Sequence, residues 1–200
     1  MDRPQGYLLS GGQSRRFGRD KARQPIGSRT LIEQLQLRLN EWTTPVQIVA
    51  DRADKYADLE ITALTDRIPG QGPLGGIHAA LVDARDRTEL PWVVVISCDM
   101  TELNPRWLDE LWQAAISSPD SKVVLFQESA DRRHPFPACY HVSLIETIES
   151  QFAAGRRSCQ ALFEAIGDQL RTLPLPADWP DVPQFNTPEE FAAWQQRKPS

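Results

Sequence analysis

The sequence has no apolar run approaching the roughly 18 residues needed to cross a membrane, so no span is expected. Its first residues, Met1-Asp2-Arg3-Pro4, are too polar for a secretory leader. Cysteine is scarce: Cys98, Cys139 and Cys159 stand far apart with no CxxC pair. That spacing excludes a disulfide framework and a zinc cluster, and it suits a reducing compartment. An excess of positive charge is also missing. The net charge is −5, which argues against general nucleic-acid binding. There is no internal repeat and no low-complexity tract. What these absences leave is a soluble, cytoplasmic globular protein, with residues 1–200 forming a single domain. A chain of 200 residues can bury about 70% of its surface, enough for a substantial core.

What is present begins with Tyr7-Leu8-Leu9, a short apolar run that reads as a strand and stops at Ser10-Gly11-Gly12. Glycines there allow positive φ and let backbone N–H groups approach a ligand. Arg15, Arg16, Arg19 and Lys21 follow within a few positions, so the positive charge is concentrated where a local anion site requires it. The Walker A spacing, with Lys-Ser/Thr after the last glycine, is absent, so an ordinary P-loop ATPase is not indicated. The competing reading is a glycine turn followed by a solvated basic loop.

Hydrophobic periodicity then gives a helix over 30–42, with Leu31, Leu35, Leu39 and Trp42 on one side. Val46–Ala50 reads as a strand, Asp51–Asp58 as a polar stretch and Ile61–Leu64 as another strand. A second glycine-rich loop, from Asp66 to Gly76, opens a helix near Pro73 that runs to about Ala84. Trp92–Ile96 is the most apolar run and reads as a central parallel strand covered on both faces. Asn104 or the neighbouring Pro105 starts a helix through Trp107, Leu108, Leu111 and Trp112. Strands follow at Lys122–Phe126, Pro137–His141 and Leu170–Leu175, with helices at Leu144–Phe152, Cys159–Ile166 and Pro188–Arg197. The prolines between 174 and 183 read as a surface crossover. This alternation predicts a three-layer α/β/α sandwich with a mostly parallel, Rossmann-like sheet. Such sheets bind ligands beyond the carboxyl ends of their strands, which places the opening loop and Asp99 on one rim.

Asp99 closes the most hydrophobic strand, where a carboxylate needs a partner. One hard oxygen ligand plus substrate phosphates is how proteins commonly hold Mg²⁺. The bland alternative is a turn or helix cap ahead of Asn104. His134 taken alone reads as an exposed loop histidine, and its distance from His141 does not suggest a metal pair. Thr187-Pro188-Glu189-Glu190 fits a helix start, with Thr187 as N-cap and Glu190 closing a capping box.

Gly11-Gly12-Gln13-Ser14-Arg15-Arg16-Phe17-Gly18 with Asp20-Lys21 resembles the opening signature of the molybdenum cofactor guanylyltransferases, the MobA-type nucleotidyltransferases of the nucleotide-diphospho-sugar transferase fold. Ser97-Cys98-Asp99-Met100 resembles that family's Cys-Asp-Met-Pro segment, with Thr101 where a proline is common. The resemblance runs from Leu8 to Trp194 and takes in Arg133–Tyr140, Gly155–Ser158 and Phe185–Glu190. It implies GTP and the molybdenum cofactor (molybdopterin) as substrates, with Mg²⁺ on Asp99. By the same resemblance the nucleotide meets Leu9, Ser10, Gly11, Gly12, Lys21, Asp66, Gly72, Pro73, Leu74 and Asp99. Arg16, Lys21 and Asp99 would be catalytic, and His134, Pro135 and Asn186 would lie near the acceptor. CTP-using relatives typically carry alanine where Gly11 stands, so the resemblance favours guanine. It also admits cofactor-delivery or molybdoenzyme-maturation proteins as partners.

The expected reaction is in-line attack of the terminal phosphate of molybdopterin on the α-phosphorus of GTP, releasing pyrophosphate. A phosphate monoester, with its second pKa near ~6, is already an anion at neutral pH, so no general base is required. Positioning and electrostatics would supply the catalysis. Two alternatives stay open: a nucleotidyltransferase of the same fold using CTP or a sugar-phosphate acceptor, and a non-catalytic GTP-binding adaptor.

Overall fold

The computed structural model describes residues 2–11, 17–18, 20–43, 45–65, 68, 70–129 and 131–197. Strand β1 (Gln5–Leu9) leads to a small antiparallel pair, β2 (Pro25–Ile26) and β3 (Arg29–Thr30), and then to helix α1 (Leu31–Trp42). Strands β4 (Val46–Ala50) and β5 (Ala63–Thr65) precede helix α2 (Gly72–Arg87), strand β6 (Trp92–Ser97) and helix α3 (Pro105–Ile116). Strands β7 (Val123–Ser129) and β8 (Arg132–His141) follow, then α4 (Ile145–Ala153), α5 (Cys159–Ile166), β9 (Leu170–Pro174) and α6 (Pro188–Arg197).

Seven strands form one sheet in the order β5-β4-β1-β6-β8-β7-β9. Pairings β5·β4, β4·β1, β1·β6 and β7·β9 are parallel, whereas β8 runs antiparallel to both β6 and β7. Strand β6 is indeed covered on both faces, with Val93–Ile96 fully buried, but it is parallel on one side only. An unbroken apolar run reports burial and says nothing about the direction of the neighbour. β8 is also twice the length expected, because Pro135 and Pro137 made its first half read as loop.

Helices cover both faces, and the alternation of β1 shows how. Gly6 faces α1: an added Cβ would lie 2.8 Å from a Thr43 methyl and 3.1 Å from Leu39. Leu9, three residues on and on the opposite face, meets α2, where a Cβ on Gly76 would come within 3.1 Å of its Cδ1. Helix α1 starts with a full capping box between Thr30 and Glu33 and buries Leu31, Ile32, Leu35, Leu39 and Trp42. It packs on α3, and the Trp42 indole N–H donates to Asp109 at 2.7 Å. On the other face α2 packs on α4, which packs on α5.

Strand order fixes the site's address. From β1 the chain moves outward through β4 and β5, then returns to β6 on the other side of β1. The switch point, where a crevice opens beyond the carboxyl ends, therefore lies between β1 and β6. Leu9 pairs with Ser97 there, and Cys98 N–H donates to Leu9 O at 2.9 Å.

Candidate active site

The two loops leaving this switch point meet through charge. Asp20 caps a single 3-10 turn, Lys21–Arg23, its Oδ1 accepting from Ala22 N–H at 3.0 Å. The turn aims Lys21 across the crevice, where Nζ donates to Asp99 Oδ2 at 2.8 Å. Ser97, still on β6, donates its hydroxyl to Asp99 Oδ1 at 2.6 Å. The Lys21 and Asp99 side chains are only 18% and 15% exposed, so each carries a charge that needs the other. The cap reading of Asp99 is not what the structure shows: Asn104 caps α3 with its own side chain, accepting from Arg106 N–H at 3.0 Å.

Ser10 is buried, with its N–H and hydroxyl both donating to Val49 O at 2.8 and 3.2 Å, so β1 and β4 stay joined to their ends. Gly11 is exposed and is not among the positive-φ glycines; an added Cβ would meet nothing within 4 Å. Neither a left-handed turn nor a close neighbour among the described residues calls for glycine here. Gly12, Arg16 and Asp66 lie outside the described residues. Leu9 and Leu74 have their side chains in the core, so neither offers a side chain to a ligand. Helix α2 begins at Gly72, one residue before Pro73, and Gly72 needs its φ of +63°. The segment Gly155–Ser158 comes up against this helix start, a Cβ on Gly72 lying 3.9 Å from Arg157 O. Ser158 itself is explained as the α5 N-cap, accepting from Ala161 N–H at 3.1 Å.

The residues expected near the acceptor lie as follows. His134 is buried on β8, its ring 5.1 Å from that of Trp179 and its Nε2 3.5 Å from Glu128, rather than exposed on a loop. Burial lowers its pKa, partly offset by Glu128, so it is neutral at neutral pH. Pro135 sits beside it, its carbonyl accepting from the Tyr140 hydroxyl at 2.8 Å. Neither touches the Lys21–Asp99 pair. Asn186 has an exposed side chain, and its N–H joins the cap by donating to Glu190 Oε2 at 2.6 Å. The capping box itself is present, Glu190 N–H donating to Thr187 Oγ1 at 3.2 Å.

The C-terminal segment reaches both loops. Phe185 N–H donates to Asp99 O at 3.1 Å, and Thr101, in place of a proline, donates its N–H to Pro183 O at 3.0 Å and its hydroxyl to Val182 O at 2.7 Å. Proline could do neither. Phe17, buried in the opening loop, lies 6.2 Å from the rings of both Phe185 and Phe191. A groove of about 480 Å³ opens on the α1–α3 side, lined by Leu31, Leu35, Arg38, Thr101, Leu103 and Trp194. It lies against the outer side of the Asp99 loop, apart from the charged pair.

Sequence reading missed Ser97, Lys55 and Tyr56. Lys55 donates to Ser10 O at 3.0 Å and pairs with Asp51 at 2.8 Å. Burial works to raise the Asp51 pKa, but the Lys55 bond and charge outweigh it and the net shift is downward. Burial pushes the Cys98 thiol up to about 12, with the Asp99 charge adding to it, which leaves it a thiol and no nucleophile. Among the described residues no group of three His, Cys, Asp or Glu is placed to hold a metal. The donor set is one partly buried carboxylate, which fits a hard dication that takes its other ligands from phosphates and water.

The sequence profile of the MobA-like NTP transferase domain matches residues 6–172. A relative from Opitutus terrae, named "Probable molybdenum cofactor guanylyltransferase", is 31% identical over 190 residues, covering 92% of this chain and 91% of its own. Among solved structures, molybdopterin-guanine dinucleotide biosynthesis protein A from Archaeoglobus fulgidus superposes with a TM-score of 0.80 at 21% identity, covering 96% of this chain and 97% of its own. A CMP:2-keto-3-deoxy-manno-octonic acid synthetase complexed with CTP superposes with a TM-score of 0.74 at 12% identity, with coverage of 97% and 98%, a likeness of fold alone. No helix among the described residues is long and apolar enough to cross a membrane. A lysine and an aspartate meeting over the switch point, a profile match over most of the chain and a guanylyltransferase relative 31% identical along nearly all of it lead to one conclusion: the chain belongs to the MobA-like NTP transferase family and is a nucleotidyltransferase.

Proposed function

We propose that this enzyme transfers GMP from GTP to the terminal phosphate of molybdopterin, forming the guanine dinucleotide and pyrophosphate, with Mg²⁺ held by Asp99. The observation that supports it most is the Lys21–Asp99 pair across the β1–β6 switch point, in a chain with guanylyltransferase relatives. A bond forms between the acceptor phosphate oxygen and the α-phosphorus while the bond to the β-phosphate bridging oxygen breaks. The electron pair leaves with pyrophosphate. Bound at Asp99, Mg²⁺ would neutralise phosphate charge. The Lys21 stem is flexible, so its ammonium would turn from the carboxylate to the phosphates when substrate enters. Its ammonium then offsets the charge developing on the leaving group, an electrostatic role that needs no proton transfer. Gly11 leaves the rim open for phosphates, and Leu9, Ser10, Gly12, Asp66, Gly72, Pro73 and Leu74 complete the nucleotide's surroundings. Arg16 would act with Lys21 on the phosphates, and Asn186, one residue from the Asp99 contact at Phe185, would face the acceptor with His134 and Pro135 further along the rim.

Purified protein incubated with Mg²⁺, molybdopterin and either GTP or CTP decides between bases by pyrophosphate release and mass of the product. Dinucleotide formed from GTP and not from CTP is expected. Turnover with CTP alone would replace this reading with the cytidylyl one, which the fold likeness to a CTP-bound synthetase makes the second candidate. Binding of GTP without turnover would make the chain an adaptor.

A further inference from the structure

The loop after β4 reads in sequence as a polar stretch, yet it contains a tyrosine with no exposed surface. The Tyr56 hydroxyl donates to Asp20 Oδ2 at 3.0 Å, while Asp20 Oδ1 accepts from Ala22 N–H inside the 3-10 turn. Asp20 is therefore fixed from two sides, by the turn it caps and by the β4 loop. Lys55 stands 3.7 Å from the same Asp20 oxygen and donates to Ser10 O, tying the arrangement to the end of β1. Arg23, the last residue of the turn, is held by Asp58 through two hydrogen bonds of 2.7 and 2.8 Å, with its guanidinium 5.2 Å from the Tyr56 ring centre. The β4 loop thus grips the turn from behind, and the only side chain that the turn sends forward to the Asp99 carboxylate is Lys21.

Burial pushes the Tyr56 phenol far above its usual range, so the hydroxyl remains a donor at every working pH. A lysine ammonium sits on a flexible four-carbon stem and has little orientation of its own. Where it points is set by the backbone that bears it. A displacement of about 1 Å at a reacting group can cost on the order of a hundredfold in rate. We infer that Tyr56 is a positioning residue for Lys21: through Asp20 it fixes the 3-10 turn so that the ammonium reaches the crevice at the depth of Asp99.

This rests on the reading that Lys21 acts on the transferring phosphates, and the test separates the two. Tyr56→Phe keeps the ring, its packing and the Arg23 contact while removing the donor. Its kcat for nucleotidyl transfer should fall about tenfold with the KM for GTP within about twofold of the parent. In a Lys21→Ala background the same change should alter the rate by less than about twofold, because the group it positions is gone. Losses that multiply in the double variant, or an unchanged kcat in Tyr56→Phe, overturn the inference. A second readout needs no substrate: competitive acylation of Lys21 against Lys122, followed by mass spectrometry, in the nucleotide-free protein. The Lys21 to Lys122 labelling ratio should rise at least about threefold in Tyr56→Phe, since a loosened turn exposes the amine. An unchanged ratio refutes it. If the ratio rises but the parent enzyme does not use GTP, the substrate reading fails and the positioning role stands.

Discussion

Replacing Lys21 with alanine leaves Asp99 with one oxygen on the Ser97 hydroxyl and the other without its cation. Breaking a fully buried pair by removing one partner costs about 3–5 kcal/mol, and surface pairs are worth about 0–1 kcal/mol. With its members 18% and 15% exposed, this pair falls between, at about 2 kcal/mol. For a chain of this length about 1 kcal/mol moves the melting temperature by about 2–4 °C, so Lys21→Ala should melt about 4–8 °C lower. Asp99→Asn should cost less, because the freed ammonium can swing to water on its stem whereas the carboxylate cannot leave its short one. Combining the two substitutions removes both charges and should restore most of the stability lost in Lys21→Ala. Differential scanning calorimetry on nucleotide-free protein measures all four states. A Lys21→Ala midpoint within about 1 °C of the parent, or a double variant less stable than Lys21→Ala, refutes the pair as described. In turnover the same alanine should lower kcat by about a hundredfold with little change in the KM for GTP, and a pure KM effect would make Lys21 a uniform binding residue.

Asp99→Asn nearly preserves volume and should abolish turnover with the fold intact by circular dichroism; parental rates would remove the metal role. Asn186→Ala should leave the melting temperature almost unchanged and cut transfer at least about tenfold, whereas Thr187→Ala should lose about 1 kcal/mol of stability and keep its rate at low temperature. Alike behaviour of these two variants would take Asn186 off the site. Thr101→Val keeps the shape and the N–H donated to Pro183 but loses the hydroxyl bond to Val182, and urea unfolding should show about 1 kcal/mol lost. No change in midpoint would mean that hydroxyl holds nothing.

Local chemistry was legible where it acts alone. The capping signal Thr187–Glu190, the helix start at Asn104–Pro105 and the apolar spacing of α1 all became what their sequences imply. The placing of Asp99 at a carboxyl end followed from one apolar run. What failed depended on partners distant in sequence. His134 reads as a loop residue until Trp179 is folded over it, and β8 reads as half a strand until β6 and β7 flank it. Tyr56 has no signal in its neighbourhood, because its purpose lies with Asp20, 36 positions away. Aromatic residues isolated in polar stretches are the trace such a partner leaves.

The place of the closing contacts in the chain bears on what holds the site together. Every strand of the sheet lies before residue 175, so the pairing of the sheet does not use the segment that follows. Phe185 binds the Asp99 backbone and packs on Phe17, and Thr101 waits for Val182 and Pro183. Local opening of that segment would leave the sheet paired while uncovering the Asp99 loop, so the rim that carries the chemistry can come apart before the fold does.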